Sequence, residues 1–104
     1  MGDSDPRTKE SIAVKSRKET LPPSRHRVLL HNDHYTTMEF VVQILETIFN
    51  KQGAEAVSIM LSVHEKGIGI AGVYTPAVAE TKIASVHSLA QEQGYPLQCT
   101  TEPE

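Results

Sequence analysis

The polar specialists of this chain concentrate in one stretch, His31-Asn32-Asp33-His34-Tyr35-Thr36, and a further histidine, His64, stands well downstream in apolar company. The amide oxygen of Asn32, the carboxylate of Asp33 and a neutral imidazole nitrogen of His64 are all hydrogen-bond acceptors. Three converging acceptors suit a cation with several donors, and an ammonium group has three. Met38, Val41, Met60 and Val63 lie near them in sequence and would add an adaptable apolar hollow. The chemistry implied is recognition of a charged amine attached to a hydrophobic group. A plainer reading stands beside it. Asn, Asp and Thr are ordinary turn and cap residues, and a lone histidine on a helical stripe is often a half-buried structural group.

Rival chemistries fit less well. His31, Asp33, His34 and His64 match no established zinc-ligand spacing. Cys99 is the only cysteine, so neither a disulfide framework nor a multi-cysteine metal site is expected. It falls in an expected strand, as a small core residue rather than a nucleophile. Gly67, Gly69 and Gly72 spell G-x-G-x-x-G, but inside an expected strand and not between a strand and a helix start, so no phosphate loop is read from them.

These side chains need elements to position them. Arg27 to His31 is a short apolar run that reads as a strand. Met38, Val41, Val42, Leu45 and Ile48 or Phe49 recur at helical spacing, and Thr36 with Glu39 forms a capping box, so a helix is expected from Thr36 to Asn50. A second helix is expected over Ala54 to Lys66, with Val57, Met60, Leu61 and His64 on its stripe and Gly67 as its stop. Gly67 to Tyr74 reads as the second strand. Thr75-Pro76 opens a third helix, which buries Ala79, Ile83, Val86 and Ala90 and runs to about Gln93. Pro96 to Thr101 is the third strand. Counting chain traverses in this β-α-α-β-α-β order puts strand one in the centre of a three-stranded antiparallel sheet of order 2-1-3. The three helices lie on one face, giving a two-layer α/β (α+β) sandwich.

Composition sets the frame. With 104 residues the chain has room for one core. Ten Lys/Arg against thirteen Asp/Glu leave a net charge of −3, which argues against a broad basic surface for nucleic acid. No apolar run is long enough to span a membrane, no secretion-type N-terminus is visible and a single cysteine suits a reducing compartment, so a cytoplasmic setting is expected; a monomer without cofactor or metal is expected as well. Residues 1–24 hold five of the Lys/Arg, four of the Asp/Glu and only five apolar residues, and they close on Leu21-Pro22-Pro23-Ser24. That composition reads as a flexible N-terminal extension ahead of a folded unit over residues 25–104.

The loop Asn32-Asp33-His34-Tyr35-Thr36-Thr37-Met38-Glu39-Phe40-Val41 resembles the signature loop of the ClpS adaptors, and Met60-Leu61-Ser62-Val63-His64-Glu65-Lys66-Gly67 resembles their second helix. Ala79-Glu80-Thr81-Lys82 and Pro96-Leu97-Gln98-Cys99-Thr100 are similar to later blocks of that family. The resemblance covers residues 27–101. It implies a fold like the C-terminal domain of the ribosomal stalk protein, and residues 25–104 as a ClpS-like adaptor domain. It implies no enzyme but an adaptor, which binds the free α-amino group and large N-terminal side chain (Phe, Tyr, Trp or Leu) of N-degron substrates. Delivery would be to a Clp AAA+ unfoldase, of ClpA or ClpC type, coupled to a peptidase.

By that resemblance Asn32, Asp33 and His64 hold the amine. Thr36, Met38, Val41, Met60, Val63 and Leu97 line the side-chain pocket, with Met38 as the wall that rejects β-branched residues. Glu80 and Lys82 lie near the unfoldase docking surface, and the extension engages the unfoldase. Three departures stand out: His34 replaces an acid, Thr37 a proline and His31 an aliphatic residue. His31 and His34 would then enter the pocket wall and shift substrate preference, while Thr37 would only loosen the helix start. The departures at His31 and His34 keep open a regulator that docks on the Clp ATPase without reading N-termini; a small metal-dependent enzyme is a third reading.

Overall fold

The structure, a computed structural model, describes residues 24–104, so the extension expected over residues 1–24 lies outside it except for Ser24. Six elements follow in the order β1 (His26–His31), α1 (Met38–Thr47), α2 (Gly53–Lys66), β2 (Ile68–Tyr74), α3 (Pro76–Gln93) and β3 (Gln98–Pro103). The sheet order is β2-β1-β3, antiparallel at both pairings, as the traverse count requires.

Burial divides the sheet into two faces. Val28 and Leu30 of β1, Ala71 of β2 and Cys99 of β3 are buried together with Ile44 and Leu45 of α1, Val63 of α2 and Val86 of α3. On the opposite face Ile68 and Ile70 stay exposed, so the helices cover one side only. Aliphatic packing supplies most of this core, since Phe40 and Phe49 are the only buried aromatic side chains among the described residues. β2 carries one extra residue opposite β1: Val28 pairs with Gly72 and Leu29 with Ile70, leaving Ala71 as a bulge.

The helix stops match the sequence. Gly67 (φ 87°) and Gly94 (φ 80°) end α2 and α3 in the left-handed conformation that a side chain disfavours. Two side chains then tie α3 to its neighbours. Lys82 Nζ donates to the carbonyl of Ile48 at 2.7 Å, at the C-cap of α1, where a cation offsets the partial negative charge of the helix end. The same ammonium lies 5.2 Å from the ring centroid of Tyr74 and 5.9 Å from that of Phe49. Further along α3, His87 Nε2 accepts from the backbone N–H of Cys99 at 3.1 Å and fixes the start of β3.

Three expectations need correction. The N-cap of α1 is Thr37, whose hydroxyl accepts from Phe40 N at 3.1 Å, and not Thr36. Thr36 is drawn off by Asp33, and Thr37 strengthens the helix start rather than loosening it. In α2 the buried residues are Ala56 and Val63, while Val57, Leu61 and His64 are exposed, so the helix is rotated relative to the stripe read from the sequence. That stripe was ambiguous because apolar residues occur on two sides of α2, and packing against β2 selects one. Finally β3 is shifted towards the C-terminus, running to Pro103, because the full length of β1 down to His26 finds partners there.

Gly69 is where α2 comes closest to the sheet. A Cβ there would stand 2.7 Å from Val63 Cγ2 and 3.1 Å from the Ile59 carbonyl oxygen. Gly69→Ala is expected to destabilise the fold by about 1–3 kcal/mol through overpacking. Gly53→Ala, with open space around the new methyl, should be neutral or stabilising by up to about 1 kcal/mol. Urea unfolding of both variants checks the contrast.

Candidate functional site

At one end of the strands, β1 ends and β2 begins side by side, because His31 pairs with Ile68. The next residue, Asn32, donates its backbone N–H to the Gly67 carbonyl at 3.0 Å. That bond joins the loop after β1 to the C-terminal end of α2. It is the reason Asn32 and Asp33 meet His64, which sits in the last turn of that helix.

Asp33 organises the loop. Its Oδ1 accepts from the N–H groups of Tyr35 and Thr36, both at 2.7 Å, and its Oδ2 accepts from the Thr36 hydroxyl at 2.6 Å. Partial burial pushes the carboxyl's pKa up, but the three bonds from Thr36 and Tyr35, with the charge of His34, outweigh it and hold the pKa below its ordinary 3.8. The turn reading and the ligand reading of Asp33 therefore coexist. Oδ1 is saturated by two donors, and Oδ2 keeps one acceptor position.

A cleft of about 520 Å³ opens between this loop, the first turn of α1 and α2. It brings together Asn32, Asp33 and His64 with Met38, Val41, Met60 and Val63, and it also takes in Thr36 and His34. Val41 and Val63 are buried at its floor, while Met38 is 44% exposed at its mouth. One side is thus rich in acceptors and the other apolar. Tyr35, Thr37 and Glu39 line the cleft too and were missed from the sequence. Glu39 was absorbed by the capping-box pattern, whereas Tyr35, 75% exposed, is carried to the rim simply by lying between Asp33 and the helix.

Two expected pocket residues lie elsewhere, and the two expected docking residues sit on α3. His31 does not line the cleft: its Nε2 is 2.7 Å from Thr100 Oγ1, a side-chain pair made across β1 and β3. Strand alternation turns the side chain of residue 31 away from its inward neighbour Leu30. Leu97 is buried in the core, 4% exposed, and is not part of the cleft lining. Lys82 spends its ammonium on Ile48, as described, while Glu80 is exposed, and two residues two apart point to different sides of α3.

Two of the rival chemistries can be checked among the described residues. Among them no group of three or more His, Cys, Asp or Glu side chains is placed to hold a metal. The Cys99 thiol is buried, and burial raises its pKa to about 12, too high for a thiolate nucleophile at neutral pH. Among the described residues no helix is long and apolar enough to cross a membrane.

Comparison with known proteins points to one family. Residues 21–100 match the family model of the ATP-dependent Clp protease adaptor protein ClpS. The ClpS adapter protein of Desulfatibacillum aliphaticivorans is 56% identical over 93 residues, 89% of each chain. That of Desulforapulum autotrophicum is 52% identical over 104 residues, the full length of both. Among solved structures, Agrobacterium tumefaciens ClpS2 bound to L-phenylalaninamide is similar with a TM-score of 0.76 and 36% identity, covering 80% of this chain and all of the other.

The loop's dependence on Asp33 is open to titration. A depressed folded-state pKa means that the stability Asp33 contributes is complete above pH 3.8 and is lost as pH falls through the lower, folded value. The Tyr35 and Thr36 amide resonances should therefore hold steady from neutral pH down to about pH 4 and move together below it. In Asp33→Asn that acidic transition should vanish.

Proposed function

This chain belongs to the ClpS family of Clp protease adaptors, and we propose that it reads the N-terminal residue of substrate proteins in the cleft between β1, α1 and α2. As an adaptor it is not an enzyme: it presents substrates to a Clp protease. The free α-amino group is held by Asn32, by the remaining Oδ2 acceptor position of Asp33 and by His64. The first side chain, a large one such as Phe, Tyr, Trp or Leu, enters between Met38, Val41, Met60 and Val63. Thr36 acts through Asp33, whose carboxylate it orients. The partner is a Clp AAA+ unfoldase of ClpA or ClpC type, engaged by a monomer, and exposed Glu80 is the better of the two docking positions because the Lys82 ammonium is already bonded. A setting in the cytoplasm fits such a partner.

The observation that carries this reading is the joining of the amine acceptors and the apolar wall in one cleft. The relative that binds L-phenylalaninamide binds just this combination, a free amine beside a large apolar side chain. Magnitudes agree. Burying one large apolar side chain contributes about 1.5–3 kcal/mol, and each charge-assisted hydrogen bond roughly 1.5–3 kcal/mol. After the cost of association, the ~8 kcal/mol of a micromolar complex is within reach. His31, bonded to Thr100 outside the cleft, is no obstacle to the pocket, which weakens the alternative of a docking regulator that ignores N-termini.

Fluorescence anisotropy with labelled peptides beginning in Phe, Tyr, Trp, Leu, Ile and Met tests the reading. Peptides with large unbranched or aromatic first residues should bind, and N-acetylation should abolish binding because it removes the charge and two donors. His64→Ala should weaken binding by about tenfold or more, the worth of one such hydrogen bond. Equal affinity for free and acetylated peptides would overturn the amine site.

A further inference from the structure

Sulfur is unevenly placed in this fold. The described residues hold three sulfur side chains, Met38, Met60 and Cys99. Cys99 lies in the core, where burial keeps its thiol protonated, with a pKa pushed up to about 12. Both methionines instead line the cleft. They also line a second hollow, of about 450 Å³, beside it, so solvent meets this wall from two directions. Met38, the first residue of α1, is 44% exposed. Met60 is half-buried and packs against the core. A thioether does not titrate, but it is oxidised to a polar sulfoxide, and that step is reversible by methionine sulfoxide reductases.

We propose that Met38 is a site of reversible oxidation by hydroperoxides, and that its sulfoxide shuts the cleft to large apolar first residues. The inference rests on the N-terminal reading above, because the wall matters only if an apolar side chain lies against it. In the step, a sulfur lone pair attacks one oxygen of hydrogen peroxide. An S–O bond forms and the O–O bond breaks. Sulfur gives up two electrons, and the departing hydroxide takes the proton left on the transferred oxygen and leaves as water. The product carries a strong acceptor where the apolar wall stood. A large apolar side chain would cover that oxygen without offering it a donor, and a polar group buried without a partner is costly. The amine corner keeps its chemistry, since Asn32, Asp33 and His64 contain no sulfur. The consequence is an adaptor whose substrate uptake falls when peroxide rises and returns on reduction.

The test treats the full chain with hydrogen peroxide, removes the peroxide, and measures anisotropy with a sulfur-free peptide beginning in Phe. Peptide mass mapping should find an added oxygen on Met38 before Met60, and none on buried Cys99. With Met38 oxidised the Phe peptide should bind about tenfold or more weakly, the scale of one unpartnered buried polar group. Methionine sulfoxide reductases acting on both sulfoxide epimers should restore binding. Met38→Leu should keep its own affinity, whatever its starting value, through the same treatment, whereas Met60→Leu should lose affinity as the wild type does. The urea midpoint of the oxidised chain should stay close to that of the untreated one. Met38 left unmodified, unchanged affinity once it is oxidised, equal sensitivity in Met38→Leu, or a loss that tracks unfolding would overturn the switch while leaving the cleft standing. Failure of the untreated chain to bind any Phe peptide would overturn the cleft reading and this inference with it.

Discussion

The antiparallel register of β1 against β2 sets His31 opposite Ile68, and so sets the residue leaving one strand beside the residue about to begin the other. The Asn32 N–H to Gly67 carbonyl bond completes that junction. Gly67 can occupy it because its left-handed conformation lets α2 end and turn directly into β2. Loop, helix end and strand end are thereby fixed to one another by backbone alone. The side chains at this point, Asn32, Asp33 and His64, inherit their proximity from it. The paired strands must hold for the acceptors to stay together, and the buried Val28 and Leu30 of β1 anchor those strands in the core.

The candidate cleft and the folded framework share residues without conflict because they use different atoms. Asp33 commits one oxygen to the turn and part of the other to Thr36, which orients the carboxylate before any ligand arrives. A preorganised acceptor loses less on binding than one that must be ordered. Val41 and Val63 belong to the core and also floor the cleft, so the apolar surface offered to a ligand is rigid. Met38 and Met60, less buried and with flexible unbranched side chains, give the wall its adaptability. The cleft is therefore firm at its floor and amine corner and compliant at its mouth.

Much of the fold was legible in the chain. The stops at Gly67 and Gly94, the Thr75-Pro76 start and the traverse count gave the elements and the sheet order, since each rests on local chemistry or on chain connectivity. The errors fell where two local signals competed. Thr36 and Thr37 both precede α1, and Asp33 decided between them by taking the Thr36 hydroxyl. Val57 and Leu61 sit on a plausible stripe of α2, yet the face with Ala56 and Val63 is the buried one, and Gly69 of β2 leaves room for Val63 and Ile59 to approach the sheet.

By itself the sequence determined the elements, their order and the residue types of the amine corner, because spacing, caps and donor or acceptor chemistry are properties of short stretches. It did not determine which side chains share the cleft. His31 was a candidate by position in the chain, and strand alternation turned it to Thr100. Leu97 was another, and the core took it. Tyr35, Thr37 and Glu39 entered the cleft only once the turn around Asp33 had closed. Lys82 was placed near a docking surface by the resemblance, and the Ile48 carbonyl at the end of α1 takes its ammonium. In each instance the deciding partner is distant in sequence or set by a turn, so the outcome depends on a register or a helix rotation that only the packed structure fixes.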